Sequence, residues 1–279
     1  MIQNIILNFG EVVFLSPRGG GLDVSLKKRL GWFSLFGLLV LSSLGLVSCC
    51  VKRVPLLPPI ASDNLFPYEA FVHIKVIPKD DMRLVDELPK EQYEYLKGMF
   101  IAMGSGAVIE NDGYTEIVTA GHVCDSSDMA EASPFKKFEI YVYNWMGDGW
   151  EAEIRAIDYE NDLCLLVVSN VEFPDELEIA NRDPAQGEKL FLAASPLGLF
   201  IQEMPLLFDG YYAGTDPGGV VMTTVPVAPG SSGGAIVNRH GEIVGIVTAG
   251  LVNFKHVSMA TSWRKLEEFL KWGRKEIDE

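Results

Sequence analysis

Three short stretches of the chain carry side chains that together could do covalent chemistry: "IVTAGHVC" with His122, "YENDLCLLVV" with Asp162 and "PGSSGGAIV" with Ser232. A serine hydroxyl is a poor nucleophile at neutral pH and needs an imidazole within hydrogen-bond reach to take its proton during attack. His122 is the candidate base. A carboxylate fixes the tautomer of such an imidazole and stabilises it as it becomes cationic. Asp162 suits that role, because the apolar run 163–168 follows it directly and would hold it rigid. Asp158 and Glu160, in the hydrophilic turn just before, are rivals for it. Each of these residues alone has an ordinary structural explanation; the chain order His, Asp, Ser gives them a joint one, acyl transfer through a serine ester.

The stretch around Ser232, "APGSSGGAIVNRHGEIVGIV" over 228–247, reads as a built turn and not a linker. Ala235, Ile236 and Val237 follow the Gly/Ser knot at once, and a second β-branched run begins at Ile243. Gly230 can adopt backbone angles closed to other residues, so that its N–H and that of Ser232 point at one spot. Such a pair forms an oxyanion hole, worth about 3 kcal/mol per donor in comparable sites. Gly233 and Gly234 let a neighbouring strand approach. Ser231 is the alternative nucleophile, but Gly-x-Ser-Gly-Gly gives the role to Ser232.

What positions these residues is a series of short β-type runs: 71–77, 100–110, 115–119, 138–144, 150–157 and 163–168, then 189–194, 201–213, 219–227, 235–237, 242–249 and 254–259. "NDG" at 111–113 and "GDG" at 147–149 suit hairpins. The period changes only in "TSWRKLEEFLKWGRKEI", where Trp263, Leu266, Phe269 and Leu270 share a helical face behind a Ser262 cap. The charged insertion 78–98 has room for a short helix. Two sets of six strands and a closing helix predict an all-β fold of two packed antiparallel six-stranded β-barrels with a C-terminal α-helix. No sequence repeat links the halves.

The formal charge of −15, from 23 basic and 38 acidic side chains with no Lys/Arg cluster, argues against nucleic acid as a partner. His73, His240 and His256 lack metal-type spacing, so neither a metal nor a cofactor is expected. Near the N-terminus, Lys27, Lys28 and Arg29 precede an uncharged apolar stretch over 30–47 and then small residues and cysteines, the order of an export signal. "LVSC" over 46–49 resembles the lipobox of bacterial lipoprotein signals, which makes Cys49 the lipid anchor. A transmembrane anchor over 31–51 and an ordinary cleaved signal are the alternatives, and all three export the domain. The lead before Lys27 is long for a signal, so translation is expected to start near Leu22 or Val24. The expected organisation is an extension and anchor over 1–51, a Pro-rich spacer over 52–67 and a folded domain over 68–279.

The motifs "GSGAVIENDGYTEIVTAGHV", "DYENDLCLLVV", "AASPLGL" and "PGSSGGAIVNRHGEIVGIVT" resemble those of the trypsin-like (chymotrypsin-fold) serine proteases, most closely the bacterial HtrA-like branch. The resemblance implies a cleft between two barrels, the first giving His122 and Asp162, the second Ser232. It implies a substrate pocket formed by Pro226, Val227, Thr248, Ala249, Gly250 and Met259. None of these is charged, so an apolar residue is expected before the cleaved bond. Ser231 stands where animal relatives have an aspartate, so a zymogen switch of that type is not expected. The chain ends at Glu279, just past the helix, so no PDZ module is expected.

The expected function is that of an exported, membrane-anchored serine endopeptidase at the cell envelope, acting on protein or peptide substrates. A catalytically idle peptide-binding lipoprotein of the same fold and an esterase of small acyl substrates are the other readings. Cys124 and Cys164 each follow a candidate catalytic residue by two positions. They are read as buried free thiols, with a disulfide as the alternative.

Overall fold

A computed structural model of the chain describes residues 66–79, 88–111, 114–251, 254 and 256–275. The export signal, Cys49, nearly all of the Pro-rich spacer and the translation start lie outside the described residues. Among the described residues, no helix is long and apolar enough to cross a membrane.

The first six strands are β1 (Phe71–Pro78), β2 (Ala102–Asn111), β3 (Tyr114–Thr119), β4 (Phe138–Tyr143), β5 (Gly149–Asp158) and β6 (Leu163–Ser169). They close into an antiparallel barrel in the order β1-β2-β3-β6-β5-β4. β7 (Lys189–Ala194), β8 (Leu206–Thr215), β9 (Val220–Thr223), β10 (Ala235–Val237), β11 (Ile243–Gly250) and β12 (Ser258–Ser262) close a second one, β7-β8-β9-β12-β11-β10. Adding six to each strand of the first order gives the second. The halves therefore share one connectivity although no sequence repeat shows it. Closure leaves no free sheet edge in either barrel, and β-branched and leucine side chains such as Ile74, Ile117 and Leu165 in one, and Leu190, Leu192 and Ile236 in the other, are fully buried.

The strand expectations fail where backbone chemistry intervenes. The run 201–213 becomes a strand only at Leu206, because Pro205 has no N–H for a ladder. The run 219–227 stops at Thr223, whose hydroxyl accepts the Val225 N–H, with Pro226 just beyond. The last strand runs over Ser258–Ser262, later than the predicted 254–259.

Among the described residues, the α-helices are α1 (Lys90–Gly98) within the predicted insertion, α2 (Gly121–Cys124), α3 (Ser127–Ala132) and α4 (Trp263–Gly273). α4 buries Trp263, Leu266, Phe269 and Leu270, the face read from the sequence. Ser262 stands at its N-cap but makes no side-chain cap bond, and its backbone N–H goes to the Gly219 carbonyl at 3.0 Å. The helix leads back to the first barrel: a Cβ at Gly273 would lie 3.1 Å from that of Ala156 on β5. Arg274 Nε then donates to Glu116 Oε2 at 2.7 Å, while Arg155 donates to Oε1 at 3.0 Å. The fully buried carboxylate of Glu116 is thus paired on both oxygens, as a buried charge must be.

The free-thiol reading of the cysteines is corrected. Cys124 and Cys164 form a disulfide. β3 pairs with β6 so that Thr119 faces Cys164, and α2 folds the chain back to bring Cys124 over the same spot.

Candidate active site

His122 sits on α2, just beyond the end of β3, and Asp162 occupies the last position of the turn before β6. The backbone N–H of His122 donates to Asp162 Oδ1 at 2.8 Å, and its Nδ1 lies 2.8 Å from Oδ2 and 3.1 Å from Oδ1. The carboxylate therefore grips backbone and ring together and fixes the ring with its proton on Nδ1, leaving Nε2 as the basic nitrogen. Asp162 holds this pose at φ +53°, a left-handed conformation uncommon for a non-glycine residue. Gly121 makes room for it: a Cβ there would meet Asp162 Oδ1 at 3.2 Å. The rival Asp158 is occupied within the turn, accepting from the backbone N–H groups of Glu160 and Asn161 and from Asn161 Nδ2 at 2.6 Å. Thr261 of the second barrel donates to the Asn161 carbonyl at 2.6 Å and ties this turn across the cleft.

Ser232 follows a turn in which the Ser231 N–H donates to the Ala228 carbonyl at 2.8 Å. Pro229 and Gly230 are the two central residues, and Gly230 has φ +93°. Proline at the first central position and positive φ at the second define a type II turn. That geometry turns the Pro229 carbonyl one way, where it accepts the Leu197 N–H at 2.5 Å, and the Gly230 N–H the other. Neither the Gly230 N–H nor the Ser232 N–H donates to any described residue. Two adjacent unpaired donors beside a serine hydroxyl are what an acyl oxyanion requires.

The two halves of the constellation meet through glycine. At Gly233, with φ +82°, a Cβ would lie 2.0 Å from Thr119 Oγ1 and 2.8 Å from the Ala120 nitrogen. The serine turn therefore rests on the strand end that carries His122. The Ser105 N–H donates to the Ser232 carbonyl at 2.8 Å, and the Gly233 N–H to the Val247 carbonyl at 2.7 Å, so both barrels hold the nucleophile's backbone. No hydrogen bond joins Ser232 Oγ to His122 in this structure; such bonds are often long in the absence of substrate and tighten in the complex.

Beside Ser232 opens a cavity of about 590 Å³. Val227, Thr248, Ala249 and Gly250 of the expected pocket line it; Pro226 and Met259 do not. Met259 pairs with Ala249 but belongs to β12, which contributes no described residue to the lining. Leu197, Leu251 and Val257 complete the wall and were not anticipated, and no described lining residue is charged. Also unanticipated are Ser105, Ser195 and His73, each fully buried behind the oxyanion turn. The only sequence signal for His73 was a polar residue inside the apolar run "FVHIKV".

Compared with known proteins, the sequence matches the family model described as Trypsin-like peptidase domain over residues 104–246, a little over half of the chain and a span that contains His122, Asp162 and Ser232. It is 27% identical over 203 residues to the serine protease HTRA1A of Danio rerio, covering 66% of this chain and 37% of that protein. It is 28% identical over 160 residues to the periplasmic serine endoprotease DegP of Escherichia coli strain K12, covering 54% of this chain and 30% of that protein. The chain thus spans about a third of the length of these relatives. Among solved structures, the serine endoprotease from Yersinia pestis matches with a TM-score of 0.56 at 21% identity, over 77% of this chain and 65% of that one, a likeness of fold.

Proposed function

Because the chain belongs to the trypsin-like peptidase family, we propose that it is a serine endopeptidase in which Ser232 attacks the scissile carbonyl, His122 takes and returns the proton, and Asp162 orients His122. The reaction runs in two halves. Ser232 Oγ bonds to the carbonyl carbon as its proton passes to His122 Nε2, and the collapsing intermediate expels the amine with that proton. Water then repeats the sequence against the acyl ester and regenerates the hydroxyl. The oxyanion of each tetrahedral intermediate lies against the N–H groups of Gly230 and Ser232.

The observation that carries this reading is the pair of unpaired N–H donors in a type II turn at Ser232, within a backbone pinned to the strand that delivers His122. The uncharged cavity beside Ser232 favours an apolar side chain before the cleaved bond, since a buried cation there would meet no described counter-ion. The signal-like segment at 27–49 and the periplasmic relatives support work at the cell envelope on protein substrates, with the lipid on Cys49 as the anchor. Labelling by a fluorophosphonate, with Ser232→Ala as the control, tests the assignment. Stoichiometric labelling of the native chain and none of the variant is expected. A folded native chain that takes no label would return the protein to the idle, peptide-binding reading.

A further inference from the structure

A buried polar network stands directly behind the oxyanion turn, and the reaction steps above do not use it. It begins at His73 on β1, which is wholly shielded from solvent and stacked on the Phe200 ring at 4.9 Å between centroids. Its Nδ1 lies 2.7 Å from Ser195 Oγ. The Ser195 N–H donates to Ser105 Oγ at 3.0 Å, and the Ser105 hydroxyl donates to the Gly230 carbonyl at 2.8 Å. Ser195 is also the residue whose carbonyl backs Gly230, and Leu197, two residues on, holds the Pro229 carbonyl.

Proton accounting gives this chain a direction. His73 Nε2 is buried with no partner, so a proton there would be an orphaned donor. The tautomer with its proton on Nδ1 avoids that: Nδ1–H donates to Ser195 Oγ, and the Ser195 hydroxyl donates to the Gly104 carbonyl at 3.3 Å. Burial depresses the affinity of the ring for a second proton, so it stays neutral at ordinary pH. Every donor of the network is then satisfied, and Ser195 is held by both its backbone and its side chain.

We propose that His73 is a positioning residue for the oxyanion hole, acting through Ser195 and Ser105 to hold the Gly230 carbonyl, and through Leu197 the Pro229–Gly230 peptide, so that the Gly230 N–H faces the acyl oxygen. This rests on Ser232 being the nucleophile. His73 touches neither substrate cavity nor nucleophile, so its effect falls on the rate of acylation and not on the filling of the pocket.

The test is the concentration dependence of fluorophosphonate acylation in the full chain. His73→Phe keeps ring volume and the stack on Phe200 but removes the hydrogen bond. It should lower the limiting acylation rate about tenfold, short of the 10²–10³-fold typical of deleting an oxyanion donor outright, with the half-saturating concentration unchanged. His73→Asn, which restores a polar atom near Nδ1, should recover most of that loss despite its smaller volume. Ser195→Ala should reproduce the His73→Phe defect and serves as the readout if His73→Phe does not fold. Native-like acylation in Ser195→Ala would overturn the proposal, as would an Asn variant slower than the Phe variant. If the native chain acylates normally and these variants match it, only this inference fails; no acylation of the native chain defeats the proposed function as well.

Discussion

Gly230 lies so close to Ser195 that a Cβ added to it would sit 2.6 Å from the Ser195 carbonyl oxygen. The contact is backbone on backbone, so no side-chain rotation relieves it, and φ +93° penalises any other residue independently. Gly230→Ala is therefore expected to flip or displace the peptide that carries the oxyanion donor. Acylation of Ser232 should fall by about 10²-fold or more, the cost of losing one such donor, and the thermal midpoint should drop as well, because Gly230 is buried and the strain falls on packed backbone. Near-native acylation in this variant would show that the Gly230 N–H does not serve the oxyanion.

Cys124 and Cys164 each stand two residues past a catalytic candidate, and their bond closes a loop spanning 40 residues. Constraining the unfolded chain over that length stabilises the domain by about 4 kcal/mol on the chain-entropy account. Urea unfolding with and without reductant, and of a Cys124→Ala/Cys164→Ala double variant, should show a loss of that order. Thiol titration of the unreduced, unfolded domain should find neither cysteine free. Equal stability in both redox states would remove the bond from the account of the fold.

The cavity beside Ser232 is narrow at one point, because a Cβ at Gly250 would lie 2.7 Å from Val227 Cγ2. Gly250→Val is thus expected to fill the space that a substrate side chain would take. Cleavage-site mapping in an unfolded protein mixture should show apolar residues of medium size before the bond cut by the native enzyme, shifting to Ala or Gly in the variant. Fluorophosphonates with a small leaving group should still acylate the variant. A dominant Lys or Arg preference in the native enzyme would refute the uncharged-pocket argument.

The catalytic candidates were legible in the sequence because chemistry restricts them to few residue types in a fixed chain order. The barrels were legible because alternating apolar runs separated by turns have few other solutions. What escaped the sequence depends on contacts between distant segments. The disulfide needed the β3–β6 register, and Leu197 entered the cavity wall only because the 3₁₀ turn Pro196–Gly198 packs on the serine turn. That Met259 stands on β12, one strand away from the lining residues of β11, likewise emerges only from the pairing of the two strands. His73 escaped because a buried histidine and a solvated one look alike until its neighbours Ser195 and Phe200, over a hundred residues away, are placed beside it.

That burial has a measurable consequence for stability. Desolvation, assisted by the charge of Lys75, lowers the pKa of His73 from 6.5 to about 4 in the folded chain. Of the ionisable groups around it, Lys75 shares β1 and the Tyr143 ring on β4 lies 6.1 Å away, while β2 and Phe200 present no ionisable side chain in contact. The folded state therefore binds fewer protons than the unfolded state between these two values, and stability must fall as pH drops through that window. Above pH 6.5 the group contributes nothing, and by pH 4 it costs about 3 kcal/mol. Carboxylate protonation acts in the same direction, so the comparison has to be differential. Urea unfolding from pH 7 to pH 4 should show the native chain losing stability more steeply than His73→Asn, by up to one proton taken up per molecule unfolded. Parallel profiles for the two would mean that the ring is protonated, or hydrated, in the folded domain.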